Sequence, residues 1–163
     1  MQSESCQRRI TAFWLLAAAV VLVDQASKLW AQSALPAVGS LEVLPSLLYL
    51  TRVANPGAAF GLFARHTLLF VGVSLAVLFL AVFFARRIAA WGWLVRLALA
   101  LQVGGAAGNL LDRVRFGHVV DFIDFRVWPV FNLADSAIVI GAGLLLLALW
   151  NEKPADRGLK NGG

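Results

Sequence analysis

The chain has 163 residues, of which 60% are hydrophobic and only 14% charged, and its formal net charge is +5. A soluble domain carries roughly 45–50% apolar and about 25% charged residues, so this composition, with a mean hydropathy of +0.78, excludes an ordinary soluble fold and selects lipid as the solvent. The basic residues lie mainly beside apolar runs, which favours membrane orientation over nucleic acid as their purpose. The lone Cys6 permits no intrachain disulfide, and His66 and His118 without HExxH spacing leave a zinc protease without its ligands.

Four apolar runs follow in chain order, roughly Thr11 to Ala31, Thr67 to Ala85, Trp91 to Leu111 and Leu133 to Trp150. Each is about long enough to cross a hydrocarbon core of roughly 30 Å, and none alternates as a barrel strand would. They predict an all-α integral membrane protein of four transmembrane helices. Residues 1–150 form one membrane-embedded domain in this reading, and 151–163 form a short polar tail, rich in charge and Gly and expected to be disordered. A cleaved signal peptide is the rival reading of the first run, given its basic start and the small residues Ala31 to Ala34. Asp24 and Lys28 argue against it, because they interrupt the apolar region ahead of that stretch.

Arg8, Arg9, Arg86, Arg87, Lys153, Arg157 and Lys160 flank the spans on one side. The positive-inside rule then places both termini in the cytoplasm. The opposite face receives two long segments, about 32–66 and 112–132, which carry Arg52, Arg65, Arg115 and Arg126. Trp14, Trp91, Trp93 and Trp150 fall at one interface and Trp30 and Trp128 at the other, as amphipathic rings prefer. Within the outer segments, Leu41 to Tyr49 and Val119 to Trp128 suggest short strands, a small extracytoplasmic sheet resting on the helix ends.

Ionised groups inside a span need partners or a function, since one at mid-bilayer costs roughly 2.5–3.5 kcal/mol on insertion scales. Here they crowd one end: Asp24, Gln25 and Lys28 on the first helix, Asn109, Asp112 and Arg113 on the third, Asn132 and Asp135 at the start of the fourth, and Asp121 shortly before. Each group also has a purely structural reading. Asp24 and Lys28 stand at i,i+4 and form an intrahelical ion pair in that view. Arg113 has Asp112, a lipid phosphate or a substrate carbonyl as possible partners. Gly104 and Gly108 share a face suited to close helix packing, and Asn132 suits an N-cap. Asp121 and Asp124, three apart on a strand, point to opposite faces. Asp135 lies in a first helical turn, where the dipole favours the carboxylate. A second acid brought nearby would resist ionisation, giving one base and one acid. Whether Asp121 is that acid is not fixed by the spacing.

Five motifs between residues 24 and 136 resemble, in order, those of bacterial lipoprotein signal peptidase, or signal peptidase II. Asp24-Gln25-Ala26-Ser27-Lys28 is similar to D-Q-x-x-K, and Asn55-Pro56-Gly57-Ala58-Ala59-Phe60 to N-x-G-A-A-F. Gly104 to Arg113 is similar to G-G-A-x-G-N-x-x-D-R. Val120-Asp121-Phe122 is similar to V-D-F, and Phe131-Asn132-Leu133-Ala134-Asp135-Ser136 to F-N-x-A-D-S. Pro56 stands where a small polar residue is common, confining Asn55 to extended geometry. The resemblance implies an intramembrane aspartic endopeptidase of the bacterial inner membrane, with Asp121 and Asp135 as the catalytic dyad. Asp24, Lys28, Asn55, Gly57, Asn109, Arg113 and Asn132 would bind substrate or shape the site. It implies a diacylglyceryl-modified prolipoprotein substrate cut just before the lipidated cysteine, a site near the outer leaflet, membrane lipid as surroundings, cyclic peptide inhibitors such as globomycin, and no metal or cofactor.

Three other functions compete. A transporter would need polar groups through the membrane thickness, and an assembly protein would need no paired acids. A Ser/Lys protease would need Ser27 and Lys28, or Ser136, to meet a partner, yet residues 27 and 28 do not face each other on a helix.

Overall fold

In a computed structural model, which describes residues 2–57 and 67–151, five helices and three strands follow in the order α1 (Gln2–Ala34), β1 (Leu41–Leu44), β2 (Leu48–Asn55), α2 (Thr67–Phe83), α3 (Ala85–Ala90), α4 (Trp93–Phe116), β3 (Val119–Asp124) and α5 (Leu133–Asn151). Ala58, Ala59 and Phe60 of the second motif, Arg65, His66 and the tail from Glu152, with Lys153, Arg157 and Lys160, lie outside the described residues.

Among the described residues three helices, α1, α4 and α5, are long and apolar enough to cross a membrane, while the apolar α2 has 17 residues. At 1.5 Å per residue α2 is about 25 Å long, short of the full hydrocarbon thickness. The chain turns at Phe84 into the short α3, which carries Arg86 and Arg87. Helix α1 starts well before the apolar run at Thr11, because its polar N-terminal turns, with Glu4 in the first, suit a helix outside lipid. Helix α4 runs past Leu111 to Phe116 and stops at Gly117, whose φ of 76° forms a left-handed cap with its N–H on Arg113 O.

Helix α4 is central, packed against α1, α2 and α5. Close approach is possible because its glycines lack side chains: a Cβ on Gly104 would sit 2.7 Å from Ala17 O of α1, and one on Gly105 would sit 2.5 Å from Ala134 O of α5. The face read from the sequence, Gly104 with Gly108, turns to α1 at Ala17 and Asp24, and Gly105 opens a second close approach to α5, as in membrane bundles held by van der Waals contact.

The sheet is antiparallel in the order β1-β2-β3. The expected strand over Leu41 to Tyr49 is split by a turn at Pro45, where Ser46 takes φ 58° and its N–H reaches Glu42 Oε1. Strand β2 continues to Asn55, and β3 ends at Asp124, four residues short of Trp128, because Arg126 turns with φ 65°. Phe122 packs with Ala31 and Leu35 of the α1 end, seating the sheet on the helices. Phe131 then pairs with Ile123, which returns the chain alongside β3 and delivers Asn132 to it.

Candidate active site

Two carboxylates enter from different elements, Asp121 from the middle of β3 and Asp135 from the first turn of α5. Asn132 links them. Its Nδ2 donates to Asp121 Oδ1 at 2.6 Å and to Asn109 Oδ1 at 3.1 Å, while its Oδ1 accepts the Asp135 N–H at 2.9 Å and its own N–H points at Asp135 Oδ2 at 3.3 Å. Those last two bonds form a reciprocal N-terminal cap. The cap expected at Asn132 thus also fixes the side chain that holds Asp121.

Asn109 and Asn55 complete the cradle. Asn109 Nδ2 donates to Asp135 Oδ1 at 2.8 Å, and Asn55 Nδ2 donates to Asp121 Oδ2 at 2.7 Å. The orientation of Asn55 is fixed by Gly57, whose N–H donates to Asn55 Oδ1 at 2.9 Å. Gly57 has φ 131°, a backbone that side-chain-bearing residues rarely adopt. Val53 pairs with Asp121 across the sheet, so Asn55, two residues on, is its diagonal neighbour. Burial first, and then the nearby Asp135 carboxylate, push Asp121 up to about 7 against the bonds from Asn55 and Asn132 and the charge of Lys28. Asp124 stands apart, accepting from Thr51 Oγ1 at 2.7 Å and from the Arg126 N–H at 2.8 Å.

Behind the pair lies a buried ionic cluster. Lys28 Nζ lies 2.9 Å from Asp24 Oδ2, 2.8 Å from Asp112 Oδ2 and 2.9 Å from Asn109 Oδ1. These contacts occupy the three donors of an ammonium group. The pair at i,i+4 is thus one side of a triad that includes Asp112, not Arg113, as the partner from α4. Gln25 Nε2 adds a bond to Asp112 Oδ1 at 2.8 Å. Burying such ions is tolerable only when every one is paired and hydrogen-bonded, and here each is.

Beside Asp135 is a cavity of about 230 Å³, lined by Asn55, Gly57, Phe70, Arg113, Asp135 and the Trp128 to Phe131 segment; buried Asp121 lies behind it, in contact with the lining residue Asn55. The Arg113 guanidinium lies 5.1 Å over the Phe70 ring, and its buried Nε has no hydrogen-bond partner among the described residues. From Asp135 an apolar groove runs along α5 past Val139 and Ile140. Among the described residues no group of three or more His, Cys, Asp or Glu is placed to hold a metal ion.

The residues singled out in the sequence therefore converge: Asp24, Lys28, Asn55, Asn109, Asn132, Asp121 and Asp135 form one connected network, and Gly57 and Arg113 line its mouth. Asp112 was read within the polar cluster but beside Arg113 rather than paired with Lys28, and the aromatic walls Phe70 and Phe131 were missed. For Asp112 a signal existed, an acid within a span needing a cation, but its neighbour Arg113 obscured which one. Ser27 Oγ donates to Asp24 O, and Ser136 Oγ to Asn132 O, so neither is paired with a base.

The family described as Signal peptidase (SPase) II matches residues 16–151. A lipoprotein signal peptidase of Moorella thermoacetica is 51% identical over 133 residues, covering 82% of this chain and 89% of that protein. One of Halothermothrix orenii is 44% identical over 135 residues, 82% of this chain and 92% of the relative. A solved bacterial membrane enzyme superposes with a TM-score of 0.81 at 32% identity, covering 94% of this chain and 95% of its own.

Proposed function

The chain belongs to the signal peptidase II family, and from that premise we propose that it removes signal peptides from diacylglyceryl-modified prolipoproteins by aspartic catalysis, cutting just before the lipidated cysteine. The observation that carries this reading is the Asp121 and Asp135 pair, held by a shared asparagine, with Asp135 lining both a cavity and the apolar groove beside it. Asp121, up at about 7, is assigned the proton of the pair, which it holds in most molecules below about pH 7. Asp135 takes a proton from water, whose oxygen adds to the scissile carbonyl carbon while Asp121 gives its proton to the carbonyl oxygen. The tetrahedral intermediate then collapses, the amine leaving with the proton that Asp135 had taken and the carbonyl returning a proton to Asp121.

The amides of Asn55, Asn109 and Asn132 keep both carboxylates in place through these transfers, a preorganised electrostatic frame. Arg113, with a buried unpartnered donor at the cavity wall, is assigned to a substrate carbonyl, and the apolar groove along α5 to lipid or signal-helix surface. Four spans serve this scheme, with α2 completing the bundle and both termini in the cytoplasm of a bacterial inner membrane. The dyad then lies near the outer leaflet, where a substrate that is part signal helix and part lipid arrives laterally. Globomycin and similar cyclic peptides are expected to compete for the same cavity.

Release of a signal peptide from diacylated prolipoprotein, but not from the unmodified precursor, by the purified protein in proteoliposomes tests the proposal. Equal cleavage of both precursors, or of neither, would sink it.

A further inference from the structure

The buried triad touches more than its own charges. Asp112 Oδ2 accepts the backbone N–H of Val120 at 3.1 Å, and Asp24 Oδ1 accepts that of Ala134 at 3.0 Å. Val120 immediately precedes Asp121, and Ala134 immediately precedes Asp135. Each outer carboxylate of the triad thus holds the backbone directly before one member of the pair, and Lys28 bridges the two carboxylates.

We infer that Asp24, Lys28 and Asp112 act as a clamp that sets the spacing of Asp121 and Asp135, with all three as positioning residues that do not touch substrate. The inference rests on the aspartic reading above. Four elements meet at this point: α1 supplies Asp24 and Lys28, α4 supplies Asp112, and the clamped backbone belongs to β3 and α5. Among the described residues no backbone hydrogen bond joins β3 to α5; Phe131, two residues ahead of α5, pairs with Phe122 and Ile123 but not with Asp121. The relative position of the two acids therefore depends on side chains, those of Asn132 on one side and the triad on the other. Lys28 also fixes the third support. By donating to Asn109 Oδ1 it forces Nδ2 of that amide toward Asp135. Gly108 allows the arrangement, because a Cβ there would lie 2.5 Å from Asp24 Oδ2.

The clamp needs an acceptor at position 112, not a charge. Asp112→Asn keeps an oxygen for Val120 N–H and Lys28, and Asp112→Leu, of similar size, does not; both leave the neutral Asp24 and Lys28 pair behind. Misplacing reacting groups by about 1 Å costs about 100-fold, so Asp112→Leu should lose at least about 100-fold in kcat at a KM within about threefold of the unaltered enzyme. Asp112→Asn should recover most of that kcat. A merely structural role predicts less folded protein but unchanged kcat per folded molecule, with folded enzyme counted by gel filtration and circular dichroism. Folded Asp112→Leu with near-normal kcat, or Asp112→Asn as impaired as Asp112→Leu, overturns the clamp. Should Asp112→Leu not accumulate, Asp24→Asn, which keeps an oxygen for the Ala134 N–H but loses the one facing Lys28, is compared with Asp24→Leu, which keeps neither; the same ordering with a smaller recovery is expected, and equal kcat in that pair overturns the clamp. If Asp121→Asn, run alongside, cleaves normally, the fault lies with the dyad reading, and the clamp falls with it.

Discussion

Asp121 and Asp124 are the same residue type three positions apart on one strand, yet their surroundings oppose each other. Asp124 meets Thr51 and Arg126 on the face away from the cavity, and Asp121 is enclosed by two amides and a second acid. Asp124→Asn should accordingly keep substantial cleavage in the same assay that silences the dyad variants; its loss would move the active acid along the strand. The pH dependence follows from Asp121. Its pKa is raised, so the protonated form persists up to about pH 7, and that form is the one required to protonate the carbonyl. The profile of kcat/KM should therefore fall as pH rises through about 7, approaching tenfold per pH unit above it; a flat profile from about pH 6 to 9 contradicts the acid role. At this scale the sequence was largely legible, because acids and amides inside apolar runs stand out against their surroundings. Asp112 was the exception. Its partner Lys28 comes from another helix, and no spacing rule within α4 identifies it.

At the scale of the element, the glycines of α4 do two things at once. Gly104 and Gly105 let α1 and α5 approach, and Gly108 makes room for the Asp24 carboxylate. Gly105→Ala should lower stability by about 1–3 kcal/mol, because its Cβ would meet backbone, which cannot rotate away. Gly72→Ala, where nothing lies within 4 Å, should leave stability unchanged or slightly raised, since alanine is the better helix former. Thermal unfolding in detergent compares the two, and equal melting temperatures would contradict the packing argument. Run length made α1, α4 and α5 legible as span-length helices, while α2 came out shorter than a full span and the short α3 was not read. The strands were less legible: Pro45 marks a turn rather than a strand interior, and the stretch from Leu50 to Asn55 lacks clean alternation because a register shift between Leu50 and Val53 interrupts its pairing. Without that strand, Asn55 has no visible route to Asp121.

For the whole molecule, the polar network gathers where the ends of α1 and α4, the start of α5 and the sheet meet, while a separate apolar cluster of Phe13, Ala17, Ile88 and Val103 fills the other half of the bundle. One-sided placement of charge gives the orientation a consequence. Cys6, the only thiol in the chain, should lie in the cytoplasm beside Arg8 and Arg9. A membrane-impermeant thiol reagent should label it only after the membrane is opened; labelling in intact cells would put the network on the wrong side for an exported precursor. In the proposed mechanism Asp121 and Asp135 act as one unit on the scissile bond. Cleavage of diacylglyceryl-modified prolipoprotein by the unaltered enzyme, Asp121→Asn, Asp135→Asn and the double variant measures it directly. Each single variant should remain folded and bind the lipidated precursor, yet turn over at least about 1,000-fold more slowly, and the double variant should be little worse than either, as for residues that act together. Near-normal turnover by either single variant would contradict the account.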